Sequence, residues 1–273
     1  MLTENTDKTL VIGQDLTFKE FTCTSGARAD LGARDVHLWT IVLSNFFALI
    51  PELYYLLSFE ERERASSFRF SSDRQRYILA HAIRRRILAH YLRVSPFKIE
   101  ICEGTFGKPR LRAVSEEVSF NDSRSGDLAV YAITRGRPVG IDVEYVRPLP
   151  QLREIARAYF SSPEIKTLAS APEQSRSQQF FTMWCGKESV LKCTGEGIGQ
   201  HLNMVETDLT APQRMAVLYA GKATRLTTAW HLHSYCPAAD HVAVVATTQT
   251  NLLFSQRTIN PSLNEPTRKY EQA

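Results

Sequence analysis

Apolar residues recur with helical spacing in some segments of the chain and with the alternation of a strand in others. These segments form two successive groups of helices and strands, one after the other along the chain. Residues 36–43 predict a strand, residues 58–68 begin with a serine N-cap and acidic residues, and residues 73–93 place apolar side chains at helical spacing. Strand-like runs follow up to residue 145. The helix pattern then returns at residue 152 and gives way to further strand-like runs that end near residue 248.

Pro148 and Pro150 separate the two groups. Helices followed by strands, twice over, predict an α+β fold of two half-size units, although no internal repeat of residues is visible. Within the first group, the runs 127–134 and 137–145 meet at Arg135-Gly136, which favours a tight turn. We therefore predict that these two runs pair as a hairpin.

The two ends of the chain differ in composition from the middle. Residues 1–35 are polar and aperiodic, and the segment after about Gln249 is rich in Thr, Asn, Ser, Gln and Pro. We expect neither end to carry chemistry. The predicted organisation is a polar lead-in (1–35), an N-terminal subdomain (36–147), a C-terminal subdomain (148–249) and a flexible tail (250–273).

Composition and charge narrow the classes of protein. The chain has 273 residues, 43% of them hydrophobic, and a formal charge of +4, which suits an anionic substrate but not a nucleic-acid-binding surface. Five cysteines without a C-x-x-C pair indicate reduced thiols. Residues 36–51 carry no Lys, Arg, Asp or Glu but are too few to span a bilayer. We expect a cytoplasmic monomer that binds neither nucleic acid nor membrane.

Two acidic residues interrupt the strand-like run "GIDVEY". If residues 138–145 form a strand, Asp142 and Glu144 share one face, and two carboxylates that close repel unless a cation lies between them. Mg²⁺ takes such oxygen ligands. From this pair alone, the solvent face of an edge strand is the favoured interpretation, because strand alternation produces such pairs freely.

The segment "WCGKESVLKCTGEGIG" places Glu188 and Lys192 one helical turn apart. Alone it predicts only an ordinary ion pair behind a core tryptophan. Three segments occur in order, however: "FGKPRL", "FNDSRSGDLAVYAITRGRPVGIDVE" and this one. Together they resemble the 4'-phosphopantetheinyl transferases of the larger, surfactin-synthetase-activating class, with the pattern G-K-P, F-N-x-S-H-S, G-x-D-x-E and W-x-x-K-E-x-x-x-K.

The resemblance implies a pseudo-dimer of two similar small α/β subdomains, with the active site in the cleft between them. It implies coenzyme A as co-substrate, Mg²⁺ as cofactor and an apo acyl or peptidyl carrier protein as partner. Asp142, Glu144 and Glu188 would hold the metal, and Glu188 and Lys192 would be catalytic. The residues that it assigns to coenzyme A binding are Arg62, Arg64, Arg76, Lys108, Ser123, Arg124, Lys187 and Lys192.

The chain departs from the family pattern at Arg124, which stands where S-H-S has histidine. Arginine keeps a cation for a phosphate but cannot carry a proton near neutral pH. Glu164 matches a recurrent family glutamate, which we place only near the site, and His81 receives no role.

Two other functions stay open from the sequence. A Mg²⁺-dependent nuclease would usually carry a lysine two residues after the acid, where this chain has Val146. A non-catalytic relative would bind coenzyme A or carrier protein without transferring anything. Retention of three clustered carboxylates argues against it, because such acids are costly to keep without an ion.

Overall fold

The computed structural model describes residues 11–12, 16–17, 31–104, 107–112, 118–195, 202–208, 215–220 and 224–261. The first half contains, in chain order, β1 (Val11–Ile12), β2 (Leu16–Thr17), β3 (Asp35–Val42), α1 (Ile50–Leu53), α2 (Phe59–Ser66), α3 (Ser71–Leu92), β4 (Ile101–Glu103), β5 (Pro109–Leu111), β6 (Ser119–Ser125) and β7 (Leu128–Thr134). The second contains β8 (Val139–Tyr145), α4 (Leu152–Tyr159), α5 (Ser162–Ser170), α6 (Glu173–Thr194), β9 (Val205–Asp208), β10 (Met215–Ala220), β11 (Thr224–Tyr235), β12 (His241–Thr247) and β13 (Leu253–Asn260). Short 3₁₀ helices lie at Leu43–Leu49, Tyr54–Leu56, Pro96–Lys98 and Leu202–Met204.

The described strands form two main sheets. One runs in the order β1-β13-β3-β7-β6, with β2 also pairing β13, and the other in the order β8-β12-β11-β10-β9, while β4 and β5 pair apart. Val, Ile, Leu and Ala side chains of β3, β7, β8 and β12 pack between the sheets. Helix α3 covers the other face of the first sheet, and α6 covers that of the second. The layers are therefore helix, sheet, sheet, helix.

The two halves share a helical frame. Helices α2 and α5 each begin with a capping box, formed by Ser58 with Glu61 and by Ser161 with Glu164. Helices α3 and α6 have 22 residues each and end at a left-handed residue. These residues are Arg93, with φ 55°, and Gly195, with φ 79°. The mixed α/β fold and its two similar units are thus as predicted.

The predicted hairpin between β7 and β8 is wrong. These strands lie in different sheets, and the turn that contains Gly136, with φ 62°, carries the chain from one sheet to the other. The tight hairpin instead joins β6 to β7 through Gly126, with φ 58°, because Ser125 pairs with Leu128. By sheet membership, the chain passes from the first sheet to the second at residues 135–138, not at the prolines that end the predicted 36–147 unit, and it returns to the first sheet at β13.

The prediction of a flexible tail from residue 250 is also wrong for the part that the structure describes. Strand β13 pairs in parallel with β3, and β1 and β2 of the predicted lead-in pair with β13. Edge strand β3 would otherwise leave its backbone N–H and C=O groups unpaired. Residues 1–10, 13–15, 18–30 and 262–273 lie outside the described residues. No helix in the described ranges is long and apolar enough to cross a membrane.

Candidate active site

Strand β8 brings the two predicted acids against helix α6. Ile141 and Val143 are buried between the sheets, so Gly140, Asp142 and Glu144 take the opposite face. A Cβ at Gly140 would collide with the backbone oxygen of Ser189 in α6. Glycine at this position therefore lets the helix lie directly on the strand.

Lys192 of α6 lies among the carboxylates. Its Nζ is 2.6 Å from Oδ1 of Asp142 and 3.9 Å from Oε2 of Glu188. It also donates a hydrogen bond of 2.9 Å to Oγ of Ser123, which in turn donates to Oδ1 of Asp142 at 2.8 Å. Since Ser123 belongs to the first sheet and Asp142 to the second, the cluster lies where the two halves meet.

The clustered acids change one another's acidity. Burial, followed by the charge of Asp142, raises the pKa of Glu188 to about 7. The same two causes, in the same order, raise the pKa of Glu144. Burial alone would lower the pKa of Lys192, but Asp142 and Glu188 outweigh it and raise that pKa. Near neutral pH the cluster therefore holds a charged lysine and a glutamate able to take up a proton.

The donor set suits a hard divalent cation. Oδ2 of Asp142 is buried and pairs with no N–H or O–H donor, although the Cys185 thiol hydrogen-bonds the same carboxylate, so this oxygen can still accept a positive group. Within the described ranges, no three His, Cys, Asp or Glu side chains are already arranged to hold one ion. The ammonium of Lys192 lies beside Asp142 and Glu188. The residues thus fit a metal by their chemistry.

Lys187, which we predicted to bind coenzyme A, is placed elsewhere. It is fully buried, with Nζ 2.8 Å from Oε2 of Glu164, and it donates hydrogen bonds to the carbonyl oxygens of Leu202 and Val205. All three ammonium protons are used, so none remains for a phosphate. The prediction for Lys187 is therefore wrong. Glu164 also accepts from the N–H and the hydroxyl of Thr207, so its carboxylate links α5 to β9 as well as to α6.

The other predicted cations lie outside the carboxylate cluster. Arg62 donates to the carbonyl of Tyr55 at 2.8 Å and packs over the Tyr54 ring, away from β8. Arg76 lies 3.6 Å from Asp127 in the turn between β6 and β7. Lys108 donates to the carbonyl oxygens of Val139 and Cys193, and burial lowers its pKa. It therefore links β8 to the end of α6.

Arg124 is exposed and lies on the opposite face of β6 from Ser123. Burial raises the pKa of the Tyr77 hydroxyl on α3, and the nearby charges of Arg64 and Arg124 act against that rise. The charges of Arg64 and Arg124 both act on Tyr77, so each of these arginines lies near the first half of α3.

Comparison with known proteins decides the family. A family model described as "4'-phosphopantetheinyl transferase superfamily" matches residues 138–246, and one described as "4'-phosphopantetheinyl transferase, N-terminal" matches residues 44–135. The chain is 36% identical over 214 residues to the 4'-phosphopantetheinyl transferase HetI of Nostoc sp., which covers 78% of this chain and 87% of HetI. The chain belongs to the 4'-phosphopantetheinyl transferase family.

Shorter matches support the same class of transferase. The chain is 37% identical over 156 residues to psf-1 of Bacillus pumilus, with 56% of this chain and 64% of that protein covered. It is 28% identical over 147 residues to Sfp of Bacillus subtilis, with 54% and 64% covered. The resemblance inferred from the motifs is therefore confirmed. The two family models meet at the turn where the chain passes between the sheets.

The sequence prediction missed several polar residues of the transferase. Ser125 donates to Oε2 of Glu144 at 3.1 Å, and Asn121 accepts from the N–H of Ile141 at 2.7 Å. Strand alternation in "FNDSRS" could have found both, since they share a face with Ser123. Glu61 was also missed. It binds Arg84 at 2.9 Å and Arg85 at 2.7 Å, and the spacing of its capping box was the available signal.

Proposed function

We propose that this transferase moves the 4'-phosphopantetheine arm of coenzyme A to a serine hydroxyl of an acyl or peptidyl carrier protein, with Mg²⁺, and releases adenosine 3',5'-bisphosphate. The observation that carries the proposal is the cluster of Asp142, Glu144, Glu188 and Lys192 at the boundary between the halves of a chain of this family. Carboxylates beside a lysine suit a site for a polyphosphate with a metal ion.

In the proposed reaction, the serine oxygen attacks the phosphorus that bears the pantetheine arm. A new P–O bond forms there, and the bond from that phosphorus to the oxygen shared with the adenosine phosphate breaks, so that the bisphosphate leaves. Glu188 takes the serine proton, directly or through a water. Burial and the charge of Asp142 raise its pKa to about 7 in the protein without metal, so this carboxylate can take up a proton near neutral pH. Arg124 cannot take this role, because arginine stays protonated.

The remaining residues hold charge and position. Asp142, Glu144 and Glu188 would hold the Mg²⁺ ion, which when bound neutralises charge on the pyrophosphate. The Lys192 ammonium, held 2.6 Å from Asp142, offers a second positive charge beside the same carboxylates. We assign Arg64 and Arg124, with Arg76 at the neighbouring turn, to the phosphates of coenzyme A. Lys108 stays a candidate for the nucleotide end, beside the end of α6.

The experiment is intact-mass spectrometry of several apo carrier proteins incubated with the purified chain, Mg²⁺ and coenzyme A. We expect a gain of about 340 Da on at least one carrier, the mass of the arm that a metal-assisted displacement would deliver. A chelator should prevent the gain. Binding of coenzyme A without any mass gain on any carrier would favour a non-catalytic relative and contradict the proposal.

A further inference from the structure

Strand β6 turns three polar side chains toward β8. Asn121, Ser123 and Ser125 alternate along β6, while Phe120 and Asp122 face the opposite way, toward α3. The two strands belong to different sheets, so no backbone ladder joins them. Side chains supply the bonds instead. Asn121 accepts from the N–H of Ile141 at 2.7 Å, and Ser125 accepts from the N–H of Tyr145 at 3.1 Å.

The hydroxyls of Ser123 and Ser125 each also bond one of the carboxylates assigned to the metal. Ser123 donates to Asp142 at 2.8 Å and accepts from Lys192. Ser125 donates to Oε2 of Glu144 at 3.1 Å, and it accepts a hydrogen bond from the backbone N–H of Tyr145, the residue that follows Glu144. Ser125 therefore fixes both the carboxylate of Glu144 and the strand that carries it.

We infer that Ser125 is a positioning residue, which holds Glu144 in place for a divalent cation across the boundary between the two halves. The inference rests on the proposed function, since it takes Glu144 as a metal ligand. Partners of metal ligands of this kind usually contribute strongly to metal affinity.

A purely structural tie would behave differently. Asn121 already supplies a hydrogen bond between β6 and β8 without touching a carboxylate. If Ser125 only held the strands together, its removal would lower stability and leave metal affinity unchanged. If it orients Glu144, its removal weakens metal binding, and threonine, which keeps a hydroxyl on the same carbon, restores that binding.

The test is calorimetric titration with Mn²⁺ in the presence of saturating coenzyme A, with coenzyme A alone as the blank. We expect Ser125→Ala to raise the Kd for Mn²⁺ roughly tenfold, and Ser125→Thr to stay within about threefold of the parent. Ser119→Ala is the matched control, because it removes a hydroxyl from the same face of β6, six residues from Ser125. It should leave the Kd for Mn²⁺ unchanged. Thermal unfolding of each variant confirms that it is folded.

A Kd for Ser125→Ala within twofold of the parent overturns the inference, whatever happens to its thermal stability. Failure of the threonine variant to recover affinity overturns it as well. Absence of Mn²⁺ binding in the parent chain would remove the metal site and this inference together. The titration does not depend on any carrier. Failed transfer with Mn²⁺ binding that depends on Ser125 would therefore contradict the proposed reaction and leave the inference standing.

Discussion

The two halves of the molecule use the same frame for different purposes. Each has a capping-box glutamate that binds a cation of its 22-residue helix, Glu61 with Arg85 and Glu164 with Lys187. In each, the cation also donates to a carbonyl just after that helix, of Ile99 or of Leu202. The shared pairs stabilise the frame, so the chemistry must come from positions where the halves differ.

The difference lies on the strands that correspond, β3 and β8. Their registers with β7 and β12 place Trp39 at the position of Asp142, and Ile41 at that of Glu144. The outer edge of β3 is paired with β13, whereas the corresponding edge of β8 meets the side chains of β6. Because β8 meets β6 through side chains, Ser123 reaches Asp142 and Ser125 reaches Glu144. Strand β3, whose two edges are both paired with strands, carries apolar residues at the corresponding positions.

The largest expected effect is the difference in transfer rate between substitutions at the corresponding positions Asp142 and Trp39. Asp142→Asn should lower the rate of carrier modification on the order of a thousandfold, because it removes a charged ligand that acts together with the other carboxylates. Trp39→Phe, at the matching position, should leave the rate within about twofold, since Trp39 lies outside the cluster. The initial rate of mass gain on the carrier measures both. Equal losses in the two variants would end the distinction between the halves.

The next effect concerns the buried ion pair that each half forms between its capping-box glutamate and its 22-residue helix. Lys187→Met leaves the buried carboxylate of Glu164 without its cation, and Arg85→Met does the same to one oxygen of Glu61. We expect each to lower the free energy of unfolding by about 3–5 kcal/mol, as measured by urea denaturation. The Kd of the folded protein for coenzyme A should not change. A weaker affinity of Lys187→Met for coenzyme A, with stability preserved, would return Lys187 to the phosphate site.

A smaller effect is expected from pH. The pKa of Glu188 is about 7 in the folded protein and near 4.5 in the unfolded chain. Between these values the unfolded chain loses the proton first, so Glu188 makes the protein less stable as pH rises from about 4.5 to 7. In a chelator, Glu188→Gln should therefore raise the free energy of unfolding by about 1–3 kcal/mol at pH 8.

The control for this pH effect is Glu63→Gln on the exposed face of α2, which should not change stability. At pH 4.5 the gain from Glu188→Gln should disappear. A gain of equal size at both pH values would show that the raised pKa of Glu188 is not its cause.

The smallest effect tests what the first half contributes to catalysis. Arg124→Ala should raise the KM for coenzyme A roughly tenfold with little change in kcat, because a charge-assisted bond to phosphate is lost. Arg124→His should stay near the parent. Arg69→Ala, which removes an exposed arginine stacked on Phe70, is the matched control. An unchanged affinity of Arg124→Ala for coenzyme A by calorimetry would remove the proposed phosphate contact.

Local signals in the sequence were sufficient for some parts of this structure. Alternation placed Asp142 and Glu144 on one face, and helical spacing brought Glu188 and Lys192 together. The start of α5 carries such a local signal, since a serine with a glutamate three positions later and a proline in the first turn specify a helix N-terminus. These features depend on neighbours within a few residues.

The errors came from contacts between distant segments. Nothing in the run 253–260 indicates that it pairs with β3, and the apolar strands β7 and β8 carry no local sign of which neighbour each will pair with. Lys187 and Glu188 are adjacent, so they face different directions on α6, but only the position of Glu164 shows which of them is buried. The hydrogen bond from Ser125 to Glu144 likewise forms only because β6 lies beside β8 in the fold.

Asp142 and Glu188 are proposed to act as one unit with a divalent cation. The most direct measurement is the initial rate of mass gain on an apo carrier for the parent, Asp142→Asn, Glu188→Gln and the double variant, each with Mg²⁺ and coenzyme A. We expect the double variant to be no more than about threefold slower than the slower single variant, because either loss already disables the unit. Rate losses that multiply in the double variant would mean that the two carboxylates act independently, and would contradict the account.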